Sequence, residues 1–560
     1  MKKKTALLLA GLMLTGMCFS TACNGTEEED GVKIDPLKTQ LYVANFDGGV
    51  GSEWLDKMSQ AFAEMHAETS FEEGKTGVQF ILDKSKSDHI SAISTEIYNV
   101  IFAESVKYNE LAASGLILDI TDMVRAENED GKTIESKLSQ QQKSALTAVN
   151  DKYYALPHFE YYPGITYDKD IFNTKQLYFK QGGGFTNEAG NRSAGPDGKT
   201  GTVDDGLPAT HEEFFTLCEQ MIRVGVAPFI YTGQYPSYLD MLMEGLMASY
   251  MGGDELEVYF SFDSTRGGTL SGDDLIKAEI VTGWNGDTPV IEEKVISNET
   301  GYLMQSVAGR YYALEFMETI YENKDRYVSN KVKSALGHLD AQEEYIYSSL
   351  ENKPIAMIIE GSYWYNEAEG AFARSVDAYG EKAEDRNFAW MPLPVEVSGT
   401  VTQENGKDFF LVDEANSYAV INANIKDNPD LVALAKAFLQ YCYTDSNLQL
   451  FTTTENTYKG VQYELTDSQY EASPKYLKSI ADVRQDGSNV IRPISDSKIY
   501  VNAQSAFLFM HGKVFNSTIS GTAYSVPVRA FEAGKTAKEY FEGMRISQES
   551  WNTRYSKYFN

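Results

Sequence analysis

Between residues 153 and 168 the chain reads YYALPHFEYYPGITYD, a strand that stops, crosses a run of ringed and ionisable side chains, and starts again. The first part is aromatic and aliphatic. Pro157 has no backbone donor, so it is unsuited to a central ladder position. Pro163-Gly164 is a turn signal, a second strand follows over 164–167, and Asp168 can cap the helix after it. This fits a link between two lobes, with Phe159, Glu160 and Tyr161 facing the gap. An ordinary hairpin inside one domain is the competing reading of the stretch taken alone.

At 560 residues the chain exceeds what one core supports, so two or more lobes are expected. A net charge of -32 argues against binding nucleic acid, whose phosphates must be met by Lys and Arg, and against a polybasic membrane contact. Lys2-Lys3-Lys4 precede an apolar run over 6–13, too short to span a bilayer. Ser20-Thr21-Ala22 then stand before Cys23, a pattern similar to a bacterial lipoprotein signal. Residues 1–22 are therefore expected to be removed and Cys23 to carry the lipid, the only membrane attachment; a secretory signal without lipid is the alternative. Residues 23–38 read as an acidic tether. Cys218 and Cys442 lie in helix-like stretches and read as buried thiols, with one disulfide between them left open.

Along the chain, strands are expected at 41–46, 78–82 and 99–103, and helices from Ser52 to about Glu68, through Ile90, Ile93 and Ile97, and over 106–113. This alternation implies a mostly parallel sheet with helices on both faces. Ligands in such sheets sit at strand carboxyl ends, where Asp47 and Gly48 stand after the first strand. A tight turn is the equal alternative for that loop. Segments 256–262 and 278–284 read as strands, and 353–360 as a buried strand ending at Glu360-Gly361 before Ser362-Tyr363-Trp364-Tyr365. Three adjacent aromatics cannot all face one core, so at least one should be exposed or line a cleft. The strand over 388–390 ends in Met391-Pro392-Leu393-Pro394.

Catalytic patterns are weak. No histidine pair has metal-ligand spacing, no nucleophile elbow appears, and the loop after the first strand lacks the ending of a phosphate cradle. No cofactor and no metal site is expected. Asp197, Asp204 and Asp205 miss the spacing of a calcium loop, and a solvated insertion is the preferred reading there. The positive signal is rings and acceptors at strand ends: Tyr161, Tyr235, Tyr363, Trp364 and Trp390 with Asp47, Glu160, Gln234 and Glu360. Sugars present C–H faces to rings and hydroxyls to carboxylates and amides. For each residue singly, a core or surface role has at least equal weight; their joint placement makes the set credible.

Four features together resemble the family 1 extracellular solute-binding proteins of bacterial ABC importers, the maltose-binding-like group: the Cys23 signal, YYALPHFEYYPGITYDKDIF from Tyr153, KPIAMIIEGSYWYNEAE from Lys353 and SYAVINANIKDNPDLVALAKAFLQYCY from Ser417. The resemblance implies an α/β, two-lobed periplasmic-binding-protein-like fold of type II with three inter-lobe crossings, placed near 156–162, 391–395 and 455–462. The first lobe would hold 39–157 and 395–456, and the second 158–394 and 457–560, with insertions near 182–208 and 256–298. It implies an extracytoplasmic, lipid-anchored monomer that hands a carbohydrate to ABC permease subunits and does no chemistry on it. The ligand-binding set would be Asp47, Gly48, Phe159, Glu160, Tyr161, Gln234, Tyr235, Glu360, Gly361, Tyr363, Trp364 and Trp390. Gly361 begins the family's Gly-x-aromatic stacking segment, with either Tyr363 or Trp364 as the stacking ring. The alternatives are a glycoside hydrolase using cleft carboxylates such as Glu160 and Glu360, and a binder of a non-sugar polar solute.

Overall fold

Strands and helices alternate as the apolar periodicity predicts, but they feed two sheets. The computed structural model describes residues 28–29, 32–332, 335–382, 385–395, 409–413, 417–485, 487, 489–503 and 516–559. Cys23, the expected lipidation site, lies outside them. Nine strands form the main sheets: β1 (Thr39–Asn45), β2 (Val78–Asp83), β3 (Val100–Ala103), β4 (Ala155–Pro157), β5 (Pro163–Asp168), β6 (Ala227–Ile230), β7 (Ile355–Gly361), β8 (Phe388–Trp390) and β9 (Tyr418–Ile421). One sheet has the order β2-β1-β3-β9-β4 and the other β6-β7-β5-β8.

Each sheet is parallel except for one strand: β9 opposes β3 and β4, and β5 opposes β7 and β8. In both cases the reversed strand is the one the chain enters on arriving from the other sheet. Strands joined by helical crossovers all end at the same edge. A chain that leaves one sheet at that edge enters the next at its matching edge and must run away from it. The register marks these edges, with Ala103 and Pro157 opposite Tyr418 and Gly361 opposite Pro163.

The first sheet packs Leu41, Val43 and Phe102 against Trp54, Leu55, Met58 and Phe62 of helix α1 (Glu53–Met65). Those four helical positions share one face, and each buried side chain contributes about 1.5–3 kcal/mol. The second sheet is covered on both faces. Ile165, Tyr167, Met357 and Ile359 pack with helices Leu242–Ser261 and Ala308–Glu322; Ile358, Phe388 and Trp390 pack with helix Lys475–Arg484. Among the described residues no helix is long and apolar enough to cross a membrane.

Several expectations are revised. Segment 256–262 is the end of the Leu242–Ser261 helix, kinked at Gly252, because burial on all sides hides helical periodicity there. The strand over 278–284 belongs to a hairpin of Lys277–Asn285 with Thr288–Val295. Residues 89–95 are turns rather than a helix. After β8 the chain stays with the second sheet: Val395 N–H donates to the Ala209 carbonyl, and Leu411–Val412 pairs with Val490–Ile491. The described chain reappears on the first sheet only at Ser417, whose hydroxyl donates to the Ala103 carbonyl. The prolines after Trp390 end a strand without marking departure from its lobe. Cys218 and Cys442 are free thiols buried in different cores. The Asp204 and Asp205 carboxylates accept from backbone N–H groups of Asp197 and Gly201 in their own loop.

Candidate functional site

The link after β4 is held by charge. Glu160 is fully buried and accepts from Arg484 Nε at 2.7 Å and Nη2 at 3.1 Å, from Arg492 and from the Tyr162 hydroxyl. Burial alone would raise its pKa, but the two guanidinium charges prevail and hold it below the ordinary carboxylate value. Arg492 also pairs with Asp413, whose Oδ1 accepts from the Tyr161 N–H at 3.1 Å. Glu160 is therefore a tie between linkers, not a ligand acceptor or a catalytic carboxylate as the sequence suggested. Phe159 packs in the first core and borders a cavity of about 20 Å³ beside Asp413 and Arg492.

A second link, residues 455–462, runs beside the first. Glu160 N–H donates to the Tyr458 carbonyl at 2.8 Å, and a Cβ on Gly460 would lie 2.7 Å from Pro157 Cβ. Lys459 is fully buried, with Nζ 4.4 Å from the Phe451 ring centroid and 4.5 Å from that of Trp54. Nζ lies 3.0 Å from His158 Nδ1, and His158 Nε2 lies 3.1 Å from Asn45 Oδ1. Burial and the lysine hold His158 well below its ordinary pKa. A neutral ring with Nδ1 as acceptor and Nε2–H as donor fits both contacts. Glu455 Oε1 accepts from the Trp54 N–H at 2.7 Å, covering one of the free donors at the start of α1.

The cleft lies at the paired strand edges. From the second sheet, β7 ends in Glu360-Gly361, and Tyr363 and Glu367 follow in the next turn. The Tyr161 and Tyr363 ring centroids are 5.0 Å apart at 30°. Gly361 is required there, since a Cβ on it would lie 2.1 Å from Tyr161 Cε2. Gln342 Nε2 donates to Glu360 Oε1 at 3.3 Å and to Glu367 Oε2 at 2.7 Å. His338 Nε2 lies 3.4 Å from Glu367 Oε1, and the exposed Tyr235 ring is 6.3 Å from His338 and 6.4 Å from Tyr238. Gln234 is exposed on the same loop, its N–H donating to the Leu336 carbonyl. Burial, reinforced by the Glu367 charge, pushes Glu360 up to about 8.

From the first sheet, the loop after β1 brings Asp47, Gly48 and Gly49 to the same place. Cβ atoms on Gly48 and Gly49 would meet Glu104 Oε1 at 2.1 Å and Tyr363 Cε2 at 3.0 Å. Glu104 follows β3 and borders a cavity of about 370 Å³ with Phe46, Asp88, Ser91 and Lys107. Burial pushes Glu104 up to about 7. Asn366 joins the two sides, its Nδ2 donating to the carbonyls of Val50 at 2.8 Å and Glu455 at 2.6 Å.

The expected residues thus divide. Asp47, Gly48, Tyr161, Gly361 and Tyr363 converge, Glu360 stands buried behind them, and Gln234 and Tyr235 occupy the rim. Trp364 is fully enclosed by Tyr345, Phe372, Phe388 and Tyr476, and Trp390 packs over Gly164 in the same core. Tyr161 is as buried as these two and backs the Tyr363 ring, so Tyr363 is the half-buried one of the four. Sequence reasoning missed Glu104, Gln342, Glu367, Tyr238 and His338. Glu104 carried a usable signal, because it ends the apolar run VIFA as Glu360 ends IAMII. The others lie in helices or loops, where only tertiary packing brings them to the cleft.

The model of the bacterial extracellular solute-binding protein family matches residues 96–449. No curated protein matches the chain. Among solved structures, a chitin oligosaccharide binding protein is 13% identical with a TM-score of 0.51, over 92% of this chain and 99% of that one. Apo RafE from Streptococcus pneumoniae is 11% identical with a TM-score of 0.52, over the same shares. A protein described under xylan utilization by Caldanaerobius polysaccharolyticus is 12% identical with a TM-score of 0.50, over 90% and 99%. At these identities the likeness is one of fold.

Proposed function

The chain belongs to the bacterial extracellular solute-binding proteins, and from that premise we propose that it is a lipid-anchored carbohydrate receptor of an ABC importer, attached through Cys23. In this reading one lobe is built on the first sheet, with the described residues of 39–157 and 417–456, and the other on the second sheet, with the described residues of 163–413 and 463–559, and they meet at the cleft around Tyr363. The observation that supports a sugar is the pairing of Tyr161 and Tyr363 with acceptors from both lobes, Asp47 and Glu104 on one side and Glu367 on the other. A pyranose lays its C–H face on a ring and directs hydroxyls to carboxylates at its edge. Asp47, Gly48, Gln234, Tyr235 and Tyr363 would form this surface, with Tyr161 and Gly361 backing the Tyr363 ring and Glu360 buried behind them.

Ligand favours closure only through contacts that the open form lacks. Acceptors contributed by both lobes meet that condition, and the closed form would present both lobes to the permease. Calorimetry and small-angle scattering across an oligosaccharide panel test the reading. Heat of binding with a smaller radius of gyration is expected for at least one sugar; neither signal with any sugar would overturn it. Ligand recovered chemically unchanged separates a receptor from a hydrolase.

A further inference from the structure

We propose that two copies of this chain associate by pairing the strand Thr288–Val295 with itself, antiparallel about a two-fold axis at Glu293. The inference goes beyond the binding role of the cleft and replaces the monomer that the family resemblance implies.

The hairpin stands outside both main sheets and forms a sheet of its own. Its inner strand, Lys277–Asn285, is covered on the side away from its partner. Ile280 bridges Val307, the Glu279 N–H donates to Glu255 Oε1 at 2.9 Å, and the Val281 carbonyl accepts from Arg545 Nη2 at 2.7 Å. Those contacts also fix the phase of the ladder. Glu279 lies opposite Glu293 and Val281 opposite Ile291. Their backbone groups turn away from the outer strand, so those of Ile291, Glu293 and, two residues on, Val295 turn away from the inner one. Among the described residues none bonds to these outward N–H and C=O groups. The side chains of Val290 and Val295 are 42% and 47% exposed along the same strand. An unpaired edge of this kind is a template for another strand.

A second copy suits this edge because spacing and charge select one register. Outward groups must meet outward groups, so Ile291, Glu293 and Val295 pair among themselves across the axis. With the axis at Glu293, Ile291 meets Val295 of the partner subunit, an apolar pair, and Glu292 stands directly opposite the partner's Lys294. Moving the axis to Glu292 would oppose two glutamates, and moving it to Lys294 would oppose two lysines. Glu293 meets its own copy on the other face of the strand, with its charge already met by Lys277 Nζ at 3.1 Å. Within each copy Lys294 Nζ lies 2.5 Å from Glu292 Oε2, so pairing joins two ion pairs into one group of alternating sign. The interface is a strand wide, and a weak, concentration-dependent dimer is the form expected of it. None of the cleft residues belongs to the hairpin.

The test is sedimentation equilibrium of residues 24–560, without lipid, from about 1 µM to about 1 mM. The mass is expected to rise toward that of two chains. Lys294→Glu and Glu292→Lys each oppose like charges and should weaken association about tenfold. The double variant, Glu292→Lys with Lys294→Glu, opposes unlike charges again and should restore it. Glu293→Pro removes an N–H that the hairpin does not use, and should give a monomer with the circular dichroism and thermal unfolding of the parent. A parent chain monomeric throughout the range would overturn the inference and leave the edge guarded by its charges, or open to a strand of another protein. A dimer that survives Glu293→Pro would overturn it, as would single charge reversals without effect or without rescue in the double variant. The charge-reversal pair lies on an exposed surface, so the register is tested even if the proline disturbs the hairpin.

Discussion

Tyr363 and Trp364 are adjacent in sequence and face opposite surroundings. The first lies against Tyr161 at the cleft and the second is enclosed in the second core. Truncating each should separate binding from stability. Tyr363→Ala is expected to weaken ligand affinity about tenfold with little change in unfolding. Trp364→Ala is expected to cost about 3–5 kcal/mol of stability, read from urea unfolding. Gly361→Ala tests the close approach. Its methyl group would meet the Tyr161 ring, so the ring must shift and affinity should fall in calorimetry while the fold, by circular dichroism, persists.

At the scale of elements, the two linkers around residues 157–162 and 455–462 are fixed by buried charges of unlike kinds. Glu160 has two guanidinium partners, so Glu160→Gln leaves buried positive charge uncompensated. A loss of about 3–5 kcal/mol in denaturant unfolding is expected. Lys459 has rings and His158 instead of a carboxylate, and burial lowers its pKa from 10.5 to about 7. Between those values the unfolded chain binds more protons than the folded one, so this lysine adds stability as pH rises and removes it as pH falls through about 7. Lys459→Met is expected to be more stable than the parent at about pH 6, on the order of a few kcal/mol, with the gap narrowing toward about pH 9. Unfolding midpoints at matched pH give the difference directly, and a gap that does not change with pH would contradict the buried lysine.

For the whole molecule, Asn366 reaches from the second lobe to the first, its Nδ2 donating to the Val50 and Glu455 carbonyls and its Oδ1 accepting from Asn456 Nδ2. Asn366→Ala should shift the empty protein toward a more open form. A larger radius of gyration without ligand and a weaker affinity are the expected readouts. Saturating ligand at about one hundred times Kd should add about 2.7 kcal/mol to global stability, measured as a raised unfolding midpoint.

What the sequence determined by itself were properties set within a few residues. Apolar runs such as VIFA and IAMII identify buried strands, prolines end them, and Glu104 and Glu360 fall where those runs stop. Hence the two-lobed α/β architecture and the strand edges were legible, as was the crossing after β4. What only the tertiary structure decided were choices among neighbours of equal chemistry. A carboxylate in the first linker can face a ligand or an arginine, and Arg484 and Arg492, more than three hundred residues further on, take Glu160. An aromatic after Gly361 can line the cleft or fill the core, and the room left by Tyr345, Phe388 and Tyr476 takes Trp364. Local pattern fixes whether a side chain is suited to burial or contact. Which partner it finds depends on free energies of pairing between segments far apart in the chain, and those exist only once both sheets are in place.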